Sequence, residues 1–325
     1  MAASLLVGLL ICRGAALSMD VHLRDLDHDL IDVDRIVPFA HQVGGHRVGD
    51  GNAASRDVAL IRDDNGQHRL LKPLQPDERG VREALFYRTI SQEFARLACT
   101  VRHRPTTSDA EFRFIPKYYG LYRMPGTDHF HVSLQNCIGH MRSPCIADIK
   151  IGRVTYDHTA TPDKVLKEVA NYRWQSEIGF RFVGVKTYRQ ELGKFDVYDK
   201  PFGKSIHPGN VDTAWSTLFC CGHAPHVQRR IIRNILSRLA EIAALMRAQS
   251  QFKMYSSSLL VAYEGHPCDD DVDCDPPASV HMIDFGHAFP IEDPNDRDHN
   301  YLFGLERLIA SLEAYHRKME PSDGT

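Results

Sequence analysis

The sequence lacks the features that would place it in several large classes of protein. Its formal net charge is only −3 over 325 residues, which argues against a protein that coats nucleic acid. Its apolar N-terminal stretch, residues 1–17, is shorter than the roughly 20 residues that span a bilayer, and no basic residues precede it as they would in a signal peptide. We therefore predict a globular protein without a nucleic-acid partner, and this weak apolar stretch leaves its targeting open.

The eight cysteines show no C-x-x-C spacing, which excludes the usual zinc-ribbon and disulfide-exchange motifs. Scattered cysteines are typical of free thiols in a reducing compartment, so a cytoplasmic or nuclear location is expected. The cluster CCGHAPH, residues 220–226, is rich in side chains that bind metals. Its spacing matches no zinc-finger signature, and we predict that it holds no metal.

Two motifs of protein kinases are also missing. The sequence contains no G-x-G-x-x-G loop and no H-R-D catalytic loop, which excludes an ordinary protein kinase. The stretch QVGGH at 42–46 is too poor in glycine for a phosphate loop and is predicted to be a turn. A D-F-G tripeptide is present at 284–286, and in protein kinases its aspartate binds magnesium.

Hydrophobic periodicity predicts a small mixed sheet with one helix in residues 36–137. The pattern indicates a hairpin over 58–72 and a helix over 78–97, followed by two more strands. Residues 1–35 are predicted to be an N-terminal tail of unknown role. The acidic stretch 25–34 within that tail is interpreted as a solvated linker.

Residues 138–320 are predicted to form a second, larger part of the molecule. A helix is expected to begin at Thr161 and Pro162, and a long amphipathic helix covers 227–249. The acidic loop 266–277 lacks the glycine and terminal glutamate of an EF-hand, so a solvated insertion is predicted. Further strands are predicted at 144–153, 180–188, 258–264 and 279–285, and a last helix through Leu302, Leu305, Leu308 and Ile309.

Five charged residues from three separate segments of the sequence suggest phosphoryl transfer. Lys72 ends a predicted strand, Glu83 lies on the next helix, and Asp284 ends the last strand. Asp148 and Lys150 lie two residues apart in a predicted half-buried strand, so both side chains point to one face. Phosphoryl transfer works by positioning and charge neutralisation, and it needs a lysine for the phosphates and an aspartate for the metal. These residues therefore form a hypothetical phosphoryl-transfer site.

The stretch PCIADIKIG, residues 144–152, resembles the P-x-x-x-D-x-K-x-G signature of the inositol polyphosphate kinase family. Five further stretches resemble blocks of that family in the same order, from Pro38 to Phe289. They are PFAHQVGGH, LLKPLQPDERGVREALFY, FIPKYYGLY, SSLLVAYEG and MIDFGHAF. The resemblance implies an α+β, two-lobed, protein-kinase-like fold. It has a small β-rich N-lobe, a larger C-lobe and a short helical substrate-binding segment at about 155–210.

The resemblance also implies roles in binding ATP and a divalent metal, Mg²⁺ or Mn²⁺. Lys72 would contact the ATP phosphates, and Asp284 would hold the metal beside Ser258. The stretch 135–137 would form the hinge that faces adenine, although the family often has an acid where Gln135 stands. The implied ATP-binding residues are Lys72, Glu83, Gln135, Asn136, Cys137, Asp148, Ser258 and Asp284.

Catalysis is assigned by the same resemblance to Lys150, Asp148 and Asp284. Lys150 would approach both the inositol hydroxyl and the γ-phosphate, and Asp148 would face the nucleotide. Residues 150–204 contain eleven Lys/Arg and seven Asp/Glu, a local excess of +4 that suits a polyanionic substrate. The implied substrate-binding residues are Arg79, Lys150, Lys164, Lys167, Lys200, Lys204 and His287.

Within the family, the resemblance favours the multikinase branch, which acts on inositol tris- and tetrakisphosphates. Only about fifty residues separate Gly152 from Gly203, too few for the long insertion of the trisphosphate 3-kinases. A hexakisphosphate kinase is the first alternative, and an inositol-phosphate-binding scaffold without activity is the second. The expected partners are soluble inositol polyphosphates, with phosphoinositide headgroups as further candidates, and the expected state is a monomer.

Overall fold

The structure is a computed structural model, and it describes residues 21–41, 58–90, 114–267 and 275–319. Within them the chain forms two main β-sheets with helices packed around them, which is an α+β arrangement. The predicted turn at 42–46, the tail up to residue 20, the predicted helix beyond residue 90 and most of the acidic loop, residues 268–274, lie outside the described residues.

The first sheet comprises six strands in the described part of the chain, ordered β1-β5-β6-β4-β3-β2. Helix α1 (Glu78–Leu85) begins where the Asp77 side chain accepts a hydrogen bond from the backbone N–H of Arg79. It continues into one π-helical turn, Phe86–Ile90. The strands are β1 (Asp29–Leu30), β2 (Ile36–Pro38), β3 (Ala59–Arg62), β4 (His68–Pro73), β5 (Tyr118–Arg123) and β6 (Phe130–Leu134).

The predicted hairpin is confirmed as the antiparallel pair β3 and β4. Its turn is closed by Asp63, whose Oδ1 accepts hydrogen bonds from the backbone N–H groups of Asn65 and Gln67. Gly66 has a φ of +76°, which only glycine adopts without strain. The hairpin places Lys72 on β4, directly opposite Val132 of β6.

The prediction of a solvated linker at 25–34 is wrong. Strand β1 pairs in parallel with β5, so this segment belongs to the first sheet. Leu26 and Ile31 are only 5% and 3% exposed. The acidic side chains between them face solvent, and the overall composition hides the few apolar residues that anchor the segment.

The second sheet contains five strands in the described residues, ordered β12-β11-β7-β8-β9. Strand β7 carries Asp148 and Lys150 and lies at the centre. Every residue of β7 except Lys150 is buried, so the expectation of a half-buried strand is wrong. Neighbours on both edges and packing on both faces explain the difference. The strands are β7 (Pro144–Ile151), β8 (Phe180–Arg189), β9 (Lys194–Tyr198), β11 (Ser258–Glu264) and β12 (Ala278–Ile283), with a separate pair, β10 (Phe252–Met254) and β13 (Ala288–Pro290).

Helices cover the second sheet and confirm the main helical predictions. The long amphipathic helix is α6, and its predicted apolar residues Ile232, Leu239 and Met246 are fully buried in the core. The predicted start at Thr161 is also confirmed, because its Oγ1 accepts a hydrogen bond from the backbone N–H of Lys164. The helices are α2 (Pro162–Asn171), α3 (Gln175–Ile178), α4 (Lys200–Ser205), α5 (Val211–Leu218), α6 (Pro225–Ala248) and α7 (His299–Lys318). No described helix is both long and apolar enough to cross a membrane.

Three glycines pack where β7, β8 and α7 meet. Gly152 ends β7 with a φ of +120°, and its N–H donates to the carbonyl of Gly179 at 2.9 Å. Gly304 of α7 lies against both of them. This contact fixes the end of the strand that carries Lys150.

Replacing Gly304 with alanine is expected to lower the free energy of unfolding by about 3 kcal/mol, the upper end of ordinary overpacking. The new Cβ would lie 2.3 Å from the Gly179 carbonyl oxygen and 2.4 Å from the Gly152 nitrogen, and neither backbone atom can move easily. Chemical denaturation measures the change. Gly66→Ala is the control, because nothing lies within 4 Å of its Cβ and only backbone strain of about 1 kcal/mol is added. Equal losses in the two variants would contradict the packing argument.

Candidate active site

A cleft of about 690 Å³ is lined by side chains from both sheets and gathers most of the predicted site residues. Strand β4 and helix α1 contribute from the first half of the molecule. Strands β7, β8 and β11 and helices α2 and α4 contribute from the second half. The predicted residues that line the cleft are Lys72, Arg79, Glu83, Asp148, Lys150, Lys200, Lys204, Ser258, Asp284 and His287.

Lys72 is held between two carboxylates from different parts of the chain. Its Nζ donates to Glu83 Oε1 at 2.6 Å and to Asp284 Oδ1 at 2.5 Å. Burial opposes the charge on Lys72, but the two carboxylates outweigh it and raise its pKa well above the ordinary value. The ammonium therefore stays charged and connects β4, α1 and the end of β12.

Asp284 directs its carboxylate into the cleft from a strained backbone position. Its φ is +65°, in the left-handed region that non-glycine residues rarely adopt. The following residue holds this conformation, because the Phe285 ring stacks on Phe86 at 4.0 Å and its N–H donates to Glu83 Oε1 at 3.3 Å. Burial opposes ionisation of Asp284, but Lys72 prevails and lowers its pKa, so the side chain is a carboxylate at neutral pH.

Asp148 is a buried acid with a free oxygen. The residue is 6% exposed, and its Oδ1 has no hydrogen-bond partner among the described residues. Burial and the nearby Asp284 carboxylate raise the pKa of Asp148 to about 7. Such a group changes its protonation state near physiological pH and is available to a ligand.

Lys150 differs from Lys72 because no carboxylate neutralises it. Its Nζ donates to the Ser256 hydroxyl at 2.7 Å, and no Asp or Glu of the described residues lies within 4 Å. Burial lowers the pKa of Lys150, and the neighbouring guanidinium of Arg181 lowers it further. Asp284 and Asp148 favour its charge only from beyond that distance, so Lys150 is a cation on the cleft wall without a paired carboxylate.

The described residues contain no group of three or more His, Cys, Asp and Glu that would hold a metal ion by themselves. The cleft still fits a magnesium-type ion that arrives with phosphates, because such ions use one or two carboxylates and take their other ligands from substrate and water. The Asp284 carboxylate, 43% exposed, and the unpartnered Asp148 Oδ1 supply suitable oxygens. The buried hydroxyl of Ser258 lies beside Asp148.

The other predicted substrate residues differ in where they lie relative to the cleft. Arg79 is oriented by Asp77, whose carboxylate accepts hydrogen bonds from its guanidinium at 2.7 to 3.1 Å. Lys200 and Lys204 are exposed residues of α4 that line the cleft. Lys167 is exposed on α2 and does not line the cleft.

His287 and Lys164 are connected through an acid that sequence reasoning missed. The Asp157 Oδ2 lies 2.6 Å from His287 Nδ1 and 3.8 Å from Lys164 Nζ. The Asp157 side chain is only 2% exposed, and its Oδ1 accepts hydrogen bonds from the backbone and hydroxyl of Thr159. Lys164 itself does not line the cleft, but Asp157 places it beside His287, which does.

The predicted hinge residues do not line the cleft. The backbone N–H of Gln135 already donates to the carbonyl of Lys117 at 2.8 Å. Cys137 is buried, and its thiol donates to the carbonyl of Gln135. Contact between 135–137 and adenine therefore stays a prediction.

Arg181 is the main cleft residue that sequence reasoning missed. It projects from β8 into the cleft, between the buried residues Phe180 and Phe182. The sequence could have revealed this residue, because a charged residue between two buried phenylalanines on a strand must face away from the core. Glu168 and Asn171 of α2 also line the cleft without having been predicted.

The prediction of free thiols is confirmed for the four cysteines of the described residues, Cys137, Cys145, Cys220 and Cys221. The prediction that the stretch 220–226 holds no metal stays a prediction. His223 uses its ring nitrogens for hydrogen bonds with Gln190 and with the carbonyl of Glu264.

The architecture resembles that of solved inositol phosphate kinases and confirms the predicted two-lobed, kinase-like α+β fold. The structure of inositol phosphate multikinase Ipk2 from Saccharomyces cerevisiae, in complex with ADP and Mn²⁺, aligns with a TM-score of 0.59 at 22% identity. The alignment covers 76% of this chain and 98% of that one. A model of the inositol polyphosphate kinase family matches residues 131–313, more than half of the chain, and the chain therefore belongs to that family.

Named relatives come from several branches of the family. Human inositol polyphosphate multikinase is 28% identical over 232 residues, covering 70% of this chain and 51% of the relative. Inositol polyphosphate multikinase IPK2 of Oryza sativa subsp. indica is 27% identical over 291 residues, covering 84% and 92%. Mouse inositol hexakisphosphate kinase 3 is 28% identical over 201 residues, covering 57% and 50%. The chain thus spans about half the length of the mammalian relatives.

Replacing Asp148 with asparagine is expected to stabilise the free protein, increasingly so as the pH rises from about 4 to about 7. The pKa of Asp148 in the folded protein is about 7, above the unfolded value of 3.8. The native state therefore binds more protons than the unfolded state in this range, and wild-type stability falls as the pH rises. Asparagine has the same shape and carries no charge.

Denaturation curves at pH 5 and pH 8 measure this effect, with the exposed residue Asp128 as the control. We expect Asp148→Asn to gain more stability at pH 8 than at pH 5, and Asp128→Asn to show no such trend. A gain that is independent of pH would show that Asp148 is not a strained, ionisable group.

Proposed function

We propose that this protein is an ATP-dependent kinase that transfers the γ-phosphate to a hydroxyl of an inositol polyphosphate. One observation carries this proposal: of two half-buried lysines in one cleft, one is paired with carboxylates and the other is not. Lys72 is neutralised by Glu83 and Asp284, whereas Lys150 has no carboxylate within 4 Å among the described residues. One side is thus prepared to organise a nucleotide with its metal, and the other to receive an anionic acceptor.

The nucleotide side uses Lys72 and Asp284. Lys72 would contact the ATP phosphates, and Glu83 keeps its ammonium in place. Asp284 would hold Mg²⁺ or Mn²⁺, with Asp148 and Ser258 close by. A bound metal neutralises charge that develops on the phosphates during transfer. The ADP and Mn²⁺ in the related yeast structure support this assignment.

The acceptor side uses Lys150 as its central cation. Its ammonium reduces the repulsion between an anionic acceptor and the incoming γ-phosphate, and it contacts the reacting groups. Arg79, Lys200, Lys204 and His287 line the same cleft and suit a ligand that carries several phosphates.

Asp148 would act on the nucleotide side of the cleft, beside Asp284 and its metal. Its Oδ1 has no hydrogen-bond partner among the described residues, so it is available to the metal or to the nucleotide ribose. Asp148 and Lys150 lie on one buried strand, so a single rigid element positions both side chains.

A multikinase-like preference for inositol tris- and tetrakisphosphates is part of the proposal. The multikinase relatives match a larger share of this chain than the hexakisphosphate kinases do. The segment between β7 and α5 holds two strands, the short helices α2, α3 and α4 and one 3-10 turn (Gln190–Leu192), which leaves the acceptor side open. Formation of pyrophosphates from inositol hexakisphosphate is the alternative, and product analysis distinguishes the two.

The remaining expectations are proposals of the same kind. Phosphoinositide headgroups carry the same phosphate chemistry and are candidate acceptors. A location in the cytoplasm or nucleus is proposed from the free thiols among the described residues, and the oligomeric state is proposed to be a monomer. A scaffold without activity is disfavoured, since it has no need to hold Asp284 in a strained conformation beside Lys72.

The proposal is tested by incubating the purified protein with magnesium, labelled ATP and inositol phosphates with three to six phosphates. Transfer of label with positional identification of the products is expected. Binding of inositol phosphates without any turnover would favour the scaffold. Label transferred to peptides instead would contradict the acceptor class.

Lys150→Met is expected to lower kcat about a hundredfold or more, because it removes a preorganised cation at the point of transfer. Methionine keeps most of the side-chain volume, so folding should be retained and is checked by thermal unfolding. Steady-state kinetics with inositol trisphosphate give the comparison. A variant with near-wild-type kcat would refute the assignment of Lys150.

The positions of the outer lysines lead to a separate prediction. Lys204→Gln is expected to raise the KM for inositol trisphosphate about tenfold, since a charge-assisted hydrogen bond is lost. Lys167→Gln, on the same lobe but outside the cleft, should leave KM unchanged. If Lys167→Gln has the larger effect, the acceptor lies over α2 rather than in the cleft described here.

A further inference from the structure

Lys150 and Arg181 stand side by side on the cleft wall, and only Lys150 has a role in the function proposed above. We propose that the second, Arg181, is a specificity-determining residue that binds a phosphate group of the acceptor, next to the hydroxyl served by Lys150. This inference rests on the proposed function, and it adds a requirement: the acceptor must already carry a phosphate close to the reacting hydroxyl.

The sheet register places the two side chains together. Lys150 of β7 pairs directly with Arg181 of β8. Side chains of directly paired residues stand on the same face of a sheet, with Cβ atoms about 5 Å apart. Phe180 and Phe182 on either side of Arg181 are buried in the core, so Arg181 is turned toward the cleft that Lys150 also lines. A ligand that reaches one of these cations therefore reaches the other.

No carboxylate of the described residues lies within 4 Å of the Arg181 guanidinium, and Glu168 and Asp148 act on it only from further away. The guanidinium makes a distant cation–π approach to the Tyr172 ring, at 5.6 Å. The nearest acid of α2, Glu168, accepts a hydrogen bond from the Thr155 hydroxyl at 2.7 Å. In contrast, the cleft residue Arg79 is paired closely with Asp77.

Two neighbouring cations in a half-buried site are unfavourable in the free protein. Burial lowers the pKa of both side chains, and Arg181 further lowers that of Lys150. An anion placed between them relieves both effects. A phosphate is the best match, because a guanidinium offers two parallel N–H donors to phosphate oxygens.

A purely structural role would leave a different signature. If Arg181 served only to pack on Tyr172, its removal would destabilise the free protein and leave ligand affinity unchanged. If it binds phosphate, its removal relieves repulsion with Lys150 in the free protein and weakens only the complex. Measuring both the stability of the free protein and its affinity for the ligand therefore distinguishes the two roles.

The test is calorimetric titration of the full chain, without nucleotide, with inositol hexakisphosphate. This probe carries a phosphate at every ring position, so it offers one to Arg181 in any orientation of the ring. The variants are Arg181→Gln, which removes the charge, and Arg181→Lys, which keeps it. The matched control is Arg173→Gln, an exposed arginine that packs on Trp174 and does not line the cleft. Thermal unfolding of each free variant is measured in the same buffer.

We expect Arg181→Gln to weaken binding roughly ten- to hundredfold, the range for a charge-assisted hydrogen bond, without lowering the unfolding midpoint. Arg181→Lys should recover part of the affinity, and Arg173→Gln should match the wild type. In turnover of inositol trisphosphate, Arg181→Gln should raise KM more than it lowers kcat.

Two results would overturn the inference in distinguishable ways. If Arg181→Gln binds inositol hexakisphosphate within twofold of the wild type, the role of Arg181 is refuted. The proposed function is then left intact. A wild-type protein that binds neither inositol hexakisphosphate nor inositol trisphosphate refutes the proposed function and this inference together.

Discussion

The ammonium of Lys72 is the point where the two halves of this molecule meet. It comes from the first sheet and bonds Glu83 of α1 and Asp284 at the end of the second sheet. A buried charge that loses one partner is left uncompensated, which is strongly unfavourable. The three residues therefore fix one another. Phe285, which stacks on Phe86 beside them, makes this junction part of the core.

The rest of the cleft depends on this junction because the junction makes the two sides of the cleft differ in charge. Two carboxylates neutralise Lys72, and in the proposed function the nucleotide phosphates and a metal share them. Lys150 and Arg181, on the neighbouring strands β7 and β8 of the second sheet, have no carboxylate within 4 Å among the described residues. Under that proposal the cleft receives a metal-bound nucleotide on one side and an unshielded polyanion on the other.

The main elements were predictable because they follow local rules, whereas the signature residues were identified through the resemblance to the family. The hairpin, the start of α2 and the stripe of α6 are set by turn residues, a cap and a helical period, all visible in the sequence. Other features depend on contacts between distant parts of the chain. The register between β7 and β8 shifts at Asp148 and Ile149, and only this irregularity brings Arg181 opposite Lys150.

Contacts between distant parts of the chain also decide where the lysines of α2 point. Spacing showed that Lys164 and Lys167 lie near each other on the helix, but not how the helix is rotated. Tyr172, which follows α2, donates its hydroxyl proton to the carbonyl of Ile206 and fixes that rotation from outside the helix. Lys164 consequently reaches Asp157, and Lys167 faces solvent.

The most direct test of this account is a crystal structure with a non-hydrolysable ATP analogue, magnesium and an inositol polyphosphate bound together. The account predicts the nucleotide phosphates beside Lys72, the metal on Asp284, and an acceptor phosphate within hydrogen-bond distance of both Lys150 and Arg181. Nucleotide phosphates seated on Lys150 and Arg181, with the inositol polyphosphate bound elsewhere, would contradict it.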